Sequence, residues 1–392
     1  MVQDDVKGKV TRDRLRVGIV AGEASGDLLG AHLIRALKEK LPDIEFVGIA
    51  GPKMISAGAI SLFHMEKLAV NGFTEVIRHY REILGIRRKL TEIFLSDPPN
   101  VFIGIDAPDF NLELESQLKA KGIPAIHYVS PSIWAWRGER IRKIAQAVSR
   151  ILVLFPFEKP IYEKAGIPVT YVGHPLGDML PMEPNRQLAR EQLKLSQSEV
   201  IIAMLPGSRQ RELHSLAELY VKTAREVIQS CPAARFLVPL VSRETRKIFE
   251  KAIYSAGGED LPITILFGHA YDAITAANVV LVASGTATLE TALLKRPMVI
   301  TYRVSKLTWK LAKRRAYLPY VGLPNVLAGR FIVPELLQEN ATPENLSQAL
   351  LNILNDQTLE KELINRFTDM HVALRQNTGE KVAAALLPYL TR

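Results

Sequence analysis

The feature that most restricts how this chain can fold is an alternation of short apolar runs with helical patterns, and the alternation occurs twice. Leu15 to Ala21, Phe46 to Ala50, Val101 to Asp106, Ala125 to Val129, Ile151 to Phe155 and Thr170 to Val172 make the first series. These runs lack period-two alternation, as expected of strands buried on both faces of a parallel sheet. Between the first two, Leu28, Leu29, Leu33, Ile34 and Leu37 recur at helical spacing. From Gly173 to Arg186 the stretch GHPLGDMLPMEPNR interrupts the pattern with three prolines and two glycines and reads as an interdomain linker. The alternation then restarts with Val200 to Leu205, Arg235 to Pro239, Ile263 to Phe267, Val279 to Ala283 and Met298 to Tyr302, and beyond about residue 341 the chain reads as helical. The expected class is α/β, two Rossmann-like doubly wound domains in tandem. Two such halves imply a cleft, with ligands outside the carboxyl ends of the strands.

Composition agrees with two folded domains. At 392 residues the chain exceeds one comfortable core, and 47% hydrophobic with 23% charged residues is far from a disordered composition. The single cysteine, Cys231, excludes an intrachain disulfide and fits a reducing compartment. Met1 to Arg16 carries charges of both signs and does not read as a signal peptide. The longest apolar runs fall far short of the ~20 residues of a membrane span. The expected location is therefore cytoplasmic. Formal charge is +9, with basic clusters at Arg78, Arg81, Arg87, Arg88, Lys89 and at Lys306, Lys310, Lys313, Arg314, Arg315. Nucleic acid, an anionic membrane and a phosphorylated substrate all fit this charge, and so do plain solvated helix faces.

Several motifs lie at strand ends. In Leu205-Pro206-Gly207-Ser208-Arg209, glycine lets backbone approach a ligand, Ser208 suits a helix cap and Arg209 offers a fork of donors to phosphate. Pro-Gly-Ser is also an ordinary strand-to-helix turn. Ser284-Gly285-Thr286 gathers small and hydroxyl residues at a helix start suited to a pyrophosphate, and Glu290 is a candidate for ribose hydroxyls or merely a favourable charge near the helix start. Two such loops in one domain point to a nucleoside diphosphate. Gly22 to Asp27 follows the first strand but is neither a Walker loop nor a dinucleotide fingerprint; Glu23, Ser25 and Asp27 are cleft residues or caps.

Gly104 to Asn111 is the best place for a base. Asp106 at the strand end is assigned to chemistry and Asp109 mainly to helix capping, with the reverse left open. His127 on the next strand is a weaker candidate, since a lone histidine there is more often scaffold. The scattered histidines suggest no metal site, and a serine-hydrolase elbow is absent.

Taken in order, Val20 to Asp27, Gly104 to Asn111, His127 to Trp136 (HYVSPSIWAW), Leu205 to Arg209, Ser284 to Glu290 and Leu323 to Arg330 (LPNVLAGR) closely resemble the lipid-A-disaccharide synthase family over about residues 15 to 390. The resemblance implies a GT-B glycosyltransferase, two domains facing a cleft, that joins UDP-2,3-diacylglucosamine to 2,3-diacylglucosamine 1-phosphate with inversion, giving UDP and a β-1,6-linked disaccharide. It implies residues 1–180 as an N-terminal acceptor domain, joined by C-terminal helices from about 365 to 392, and 181–364 as the UDP-sugar domain. Asp106 would be the general base, with Asp109, Glu23, Ser25 and His127 in support. Gly207, Ser208, Arg209, Ser284, Gly285, Thr286, Glu290 and Asn325 would face the nucleotide. No cofactor or metal is implied. Partners would be the UDP-sugar donor, the acylated sugar-phosphate acceptor and the cytoplasmic face of the inner membrane, peripherally bound; a homodimer is open.

An apolar series from Met65 through Leu68, Val70, Phe73, Val76, Ile77, Tyr80, Ile83, Leu84 and Ile86, interleaved with arginines, suits an interfacial helix. It equally suits an amphipathic helix packed on its own sheet, and Asn71 is more polar than the family leads one to expect. The rival functions are a UDP-sugar epimerase of the same fold and a nucleic-acid binder. No nucleic-acid-binding signature supports the latter.

Overall fold

The computed structural model describes residues 14–68, 76–135, 138–305, 308–310 and 317–391, with the side chains of 76–80 outside that set. Its first sheet is built from β1 (Arg16–Ala21), β2 (Glu45–Ala50), β3 (Ala59–His64), β4 (Val101–Ile105), β5 (Ala125–Tyr128), β6 (Arg150–Val153) and β7 (Val169–Tyr171), in the order β3-β2-β1-β4-β5-β6-β7. The second comprises β8 (Val200–Leu205), β9 (Ala234–Leu240), β10 (Ile263–Phe267), β11 (Val279–Ala283), β12 (Met298–Tyr302) and β13 (Glu335–Leu337), in the order β10-β9-β8-β11-β12-β13. Every pairing is parallel. Both sheets reverse their strand order once, between β1 and β4 and between β8 and β11. That reversal is the doubly wound switch point, where loops at the carboxyl edge diverge and leave a crevice.

Central strands are buried on both faces. All five residues of β4 and of β11 are buried, and five of six in β1 and β8. Two strands escaped sequence reading. β3, at a sheet edge, buries only Ala59 and then alternates exposed and half-buried residues, and β13 has only three residues, all half-buried. Neither presents the continuous apolar run that betrays a central strand.

The chain divides into two compact units, one running to Pro175 and resumed from Gln376, the other from Leu176 to Arg375. In the first, the final helix Thr378–Leu390 buries Val382, Ala383, Leu386 and Leu390 at helical spacing. It lies against the helix Ala24–Lys40 closely enough that a Cβ on Gly379 would stand 3.2 Å from that of Ala36. In the second, Leu213, Leu216, Tyr220, Ala224 and Val227 form the buried stripe of the helix Gln210–Ser230. They share a core with Phe236, Phe249, Leu346 and Leu350. Each aliphatic side chain so buried contributes roughly 2 kcal/mol. Cys231 follows that helix as a partly buried free thiol.

Candidate active site

Asp106 is the residue immediately after β4, at the switch point of the first sheet. It adopts φ 51° and Ala107 φ 44°, so two successive non-glycine residues are left-handed. Such residues cost roughly 1–3 kcal/mol each and persist where neighbours over-determine them. The neighbours are visible here. The Asp106 N–H donates to the Tyr128 carbonyl of β5 at 2.9 Å, and its carbonyl accepts from Asn111 Nδ2 at 2.8 Å. Pro108 then opens the helix Pro108–Lys119, whose N-cap is Ala107. Asp109 was expected at the cap but stands one residue inside the helix, exposed, 2.6 Å from Arg140 Nη2. Proline accounts for the shift, because it is favoured at the first helical position.

His127 lies beneath this loop and is fully buried. Its Nδ1 is 2.7 Å from Oε1 of Glu115, itself fully buried on the helix that carries Asn111. Desolvation pushes the Glu115 carboxyl up, and His127 pulls it partly back. Gly104 of β4 has no room for a side chain, since a Cβ there would run into Glu115 Oε1 and Asn111. Glu115 escaped sequence reading. Its signal was a glutamate in line with Asn111 and Leu118 on the buried face of an amphipathic helix.

Around the neighbouring β1 loop, the three candidates separate. Glu23 and Ser25 are exposed at the start of the helix Ala24–Lys40. Asp27 is buried and accepts the N–H groups of Lys53 at 3.0 Å and Met54 at 2.9 Å, so it caps the helix Pro52–Ser56. A second carboxylate at this edge had no sequence signal beyond its place between two prolines. Glu158 accepts from Trp134 Nε1 at 3.0 Å and from the Phe155 N–H at 3.0 Å. Burial raises its pKa to about 7 against those hydrogen bonds. Ser130 and Tyr162 share a 2.7 Å hydrogen bond nearby.

In the second unit, Gly207 follows β8 with φ 113°, and a Cβ there would strike the Glu212 carboxylate. Ser208 does not cap the next helix. Arg209 is the N-cap residue, and Glu212 reaches back to accept from Ser208 N–H at 3.1 Å and Arg209 N–H at 3.3 Å. A glutamate three residues after the cap was the available signal. Arg209 itself is exposed.

After β11, Gly285 is the N-cap of the helix Thr286–Leu293. Ser284 N–H donates to Thr301 O at 3.0 Å, and the Thr288 hydroxyl turns back to Gly285 O at 2.7 Å. Glu290 lies in the second turn rather than the first, partly buried, with Tyr271 Oη 3.5 Å from Oε1. Burial raises the Glu290 carboxyl above its ordinary range, opposed by Tyr271, and raises Tyr271 to about 12.

Asn325 departs from its expected place at the nucleotide. It is fully buried, its Nδ2 bonded to Val333 O and Glu335 Oε1 and its Oδ1 to the N–H groups of Ile332 and Val333. All of its amide hydrogen bonds go to the loop it braces, so it has none left for a ligand. Glu335 completes that brace through the N–H groups of Val321 and Gly322.

Among the described residues no cluster of three His, Cys, Asp or Glu could hold a metal. Trp136, Val70, Asn71, Phe73, Lys306, Lys313, Arg314, Arg315 and the N-terminal residues through Asp13 lie outside the described set, as do the side chains of Val76, Ile77, Arg78 and Tyr80. The later part of the helix Val76–Ser96 buries Ile86, Leu90 and Phe94 at four-residue spacing, so that stretch packs on its own unit.

Comparison with known proteins follows the same outline. A sequence profile of the lipid-A-disaccharide synthetase family matches residues 17–386. The chain is 62% identical to the lipid-A-disaccharide synthase of Methylobacillus flagellatus over 95% of its own length and 99% of the relative's. It is 58% identical to that of Dechloromonas aromatica, over 96% and 99%. Among solved structures it resembles a putative UDP-N-acetylglucosamine 2-epimerase from Listeria monocytogenes (TM-score 0.61, 13% identity, 95% of each chain). It also resembles the UDP-GlcNAc 2-epimerase of Neisseria meningitidis bound to UDP-GlcNAc (TM-score 0.58, 12% identity, 96% and 99%). At such identities the two epimerases speak for a shared fold alone.

Proposed function

The chain belongs to the lipid-A-disaccharide synthetase family and is a glycosyltransferase; from that premise we propose the substrates it joins and the residues that join them. It condenses UDP-2,3-diacylglucosamine with 2,3-diacylglucosamine 1-phosphate, giving UDP and the β-1,6-linked disaccharide 1-phosphate with inversion at the anomeric carbon. Asp106 takes the proton from the acceptor 6-hydroxyl as that oxygen attacks opposite the departing UDP. The transition state has oxocarbenium character, and negative charge grows on the diphosphate. Arg209, the turn at Gly207 and Ser208, and the N-terminus of the helix at Ser284 to Thr286 meet that charge. Glu212 already occupies the Ser208 and Arg209 N–H groups, so the charge at this loop falls to the Arg209 guanidinium. Glu290 takes the ribose hydroxyls.

The observation that carries this reading is Asp106 at the first sheet's switch point, with both of its backbone polar groups bonded. Supplying both substrates should yield disaccharide 1-phosphate and UDP in equal amounts. Isomerised UDP-sugar formed without acceptor would overturn it in favour of the epimerase reading.

Peripheral association with the cytoplasmic face of the inner membrane belongs to the same reading. Its support is the acylated substrates and a net charge of +9; the described members of the apolar series do not add to it, since Met65 and Ile86 are buried within the unit. No described helix is long and apolar enough to cross a membrane. Co-sedimentation with anionic vesicles, lost at high salt, is the expected result; no sedimentation at low salt counts against it.

A further inference from the structure

Asp106 is held by two jaws. Its carbonyl is bonded by Asn111 of the helix Pro108–Lys119, and its N–H by Tyr128 of β5. Glu115 and His127 belong one to each jaw. Glu115 lies one turn beyond Asn111 on the same helix face, and His127 precedes Tyr128 in β5. Their 2.7 Å contact therefore ties the helix to the strand directly below the loop that the two jaws hold. Gly104 on β4 leaves the space into which Glu115 Oε1 fits.

We propose that Asn111 and the Glu115–His127 pair are positioning residues, which fix the left-handed backbone of Asp106 and so aim its carboxylate at the acceptor hydroxyl. The inference rests on Asp106 being the base. Stability offers no account of the pair. Glu115 Oε2, His127 Nε2 and Asn111 Oδ1 are all buried without a hydrogen-bond partner. Burying polar atoms unpaired is costly, and a well-packed apolar pair in place of a buried ionisable pair is often as stable or more so. Position is what an apolar pair cannot supply, because only a directional bond fixes the spacing of helix and strand. A displacement of about 1 Å at a reacting group is enough to cost on the order of a hundredfold in rate.

The test compares Glu115→Leu/His127→Leu, Glu115→Gln and Asn111→Ala in the full chain, with active sites counted by UDP titration. The double variant should fold, keep KM for both substrates within about twofold and lose kcat about a hundredfold. Glu115→Gln retains a hydrogen bond to His127 and should restore kcat to within about fivefold of wild type. Should the double variant fail to fold, Asn111→Ala carries the test, since it removes the donor to the Asp106 carbonyl, together with a longer 3.4 Å bond to Ile105 O, and leaves the Glu115–His127 contact in place; the same loss in kcat is expected. Full kcat in a folded double variant or in Asn111→Ala overturns the proposal, as does a Glu115→Gln variant as inactive as the double one. Turnover retained in Asp106→Asn would remove the base assignment and the inference with it. An inactive Asp106→Asn beside a fully active Glu115→Leu/His127→Leu would remove the inference alone.

Discussion

The two sheets share a strand order around their switch points, yet the loops at those points are built in opposite ways. After β4, neighbouring groups hold the backbone and a carboxylate side chain is presented. Asp106 is bonded through both its N–H and its carbonyl, from Tyr128 and Asn111. After β8 a side chain holds the backbone, for Glu212 folds back onto the N–H groups of Ser208 and Arg209 and keeps Gly207 in a conformation other residues rarely adopt. One edge is arranged to aim a single functional group. The other is arranged to shape a tight turn, the one proposed to meet the diphosphate. A doubly wound sheet supplies the crevice in both cases, and the anchoring carboxylate or amide decides what the crevice offers.

Breaking each loop separately should therefore give different losses. The largest is expected from Asp106→Asn, which keeps shape and removes the proposed base. Turnover should fall by about 10²–10⁴-fold with UDP affinity unchanged, and calorimetric titration beside a transfer assay checks both. A variant that still turns over shifts the base elsewhere, with Asp109 next.

Gly207→Ala should do the reverse. It forces a Cβ into a left-handed position against Glu212 and so displaces the turn; restoring the turn on binding at a cost of roughly 1–3 kcal/mol corresponds to about a 5- to 150-fold loss of UDP affinity. Undiminished UDP affinity in the folded variant would mean that the β8 loop does not carry the nucleotide.

The smallest effect on activity is expected from Glu158→Gln, whose consequence is for stability. Burial raises the Glu158 carboxyl from 4.5 to about 7. The folded chain thus keeps a proton that the unfolded chain has lost. Its contribution is fully present below about pH 4.5 and is lost as pH rises through 7, a change on the order of 3 kcal/mol. Denaturant midpoints at pH 5 and 8 should diverge more in wild type than in Glu158→Gln. Parallel behaviour of the two proteins would show that Glu158 does not titrate there.

Much of this is legible in the order of the residues alone. β1, β4, β8 and β11 are buried on both faces, and their unbroken apolar runs announced them. β3 and β13 lie at sheet edges and carry no such run. The same limit applies to the site. Asp106 and the Gly207 loop stand out in the sequence as candidates because they follow strong strands, where a parallel sheet directs its loops. Asn325 is expected at the nucleotide from sequence, and only its four hydrogen bonds to Ile332, Val333 and Glu335 reveal a brace. Glu115 and His127 are 12 residues apart, in different elements, and no local pattern links them.

The sequence by itself determined the class of fold, the doubling of the unit and the strand ends where chemistry would gather, because burial on two faces and turn chemistry are written in consecutive residues. The tertiary structure decided which polar side chains serve the fold and which face the crevice. That distinction depends on whether a side chain's hydrogen bonds are satisfied within the protein, and its partners come from elements distant in the chain. Asp27, Asn325 and Glu212 turn inward to hold backbone, whereas Asp106 has its backbone held by others.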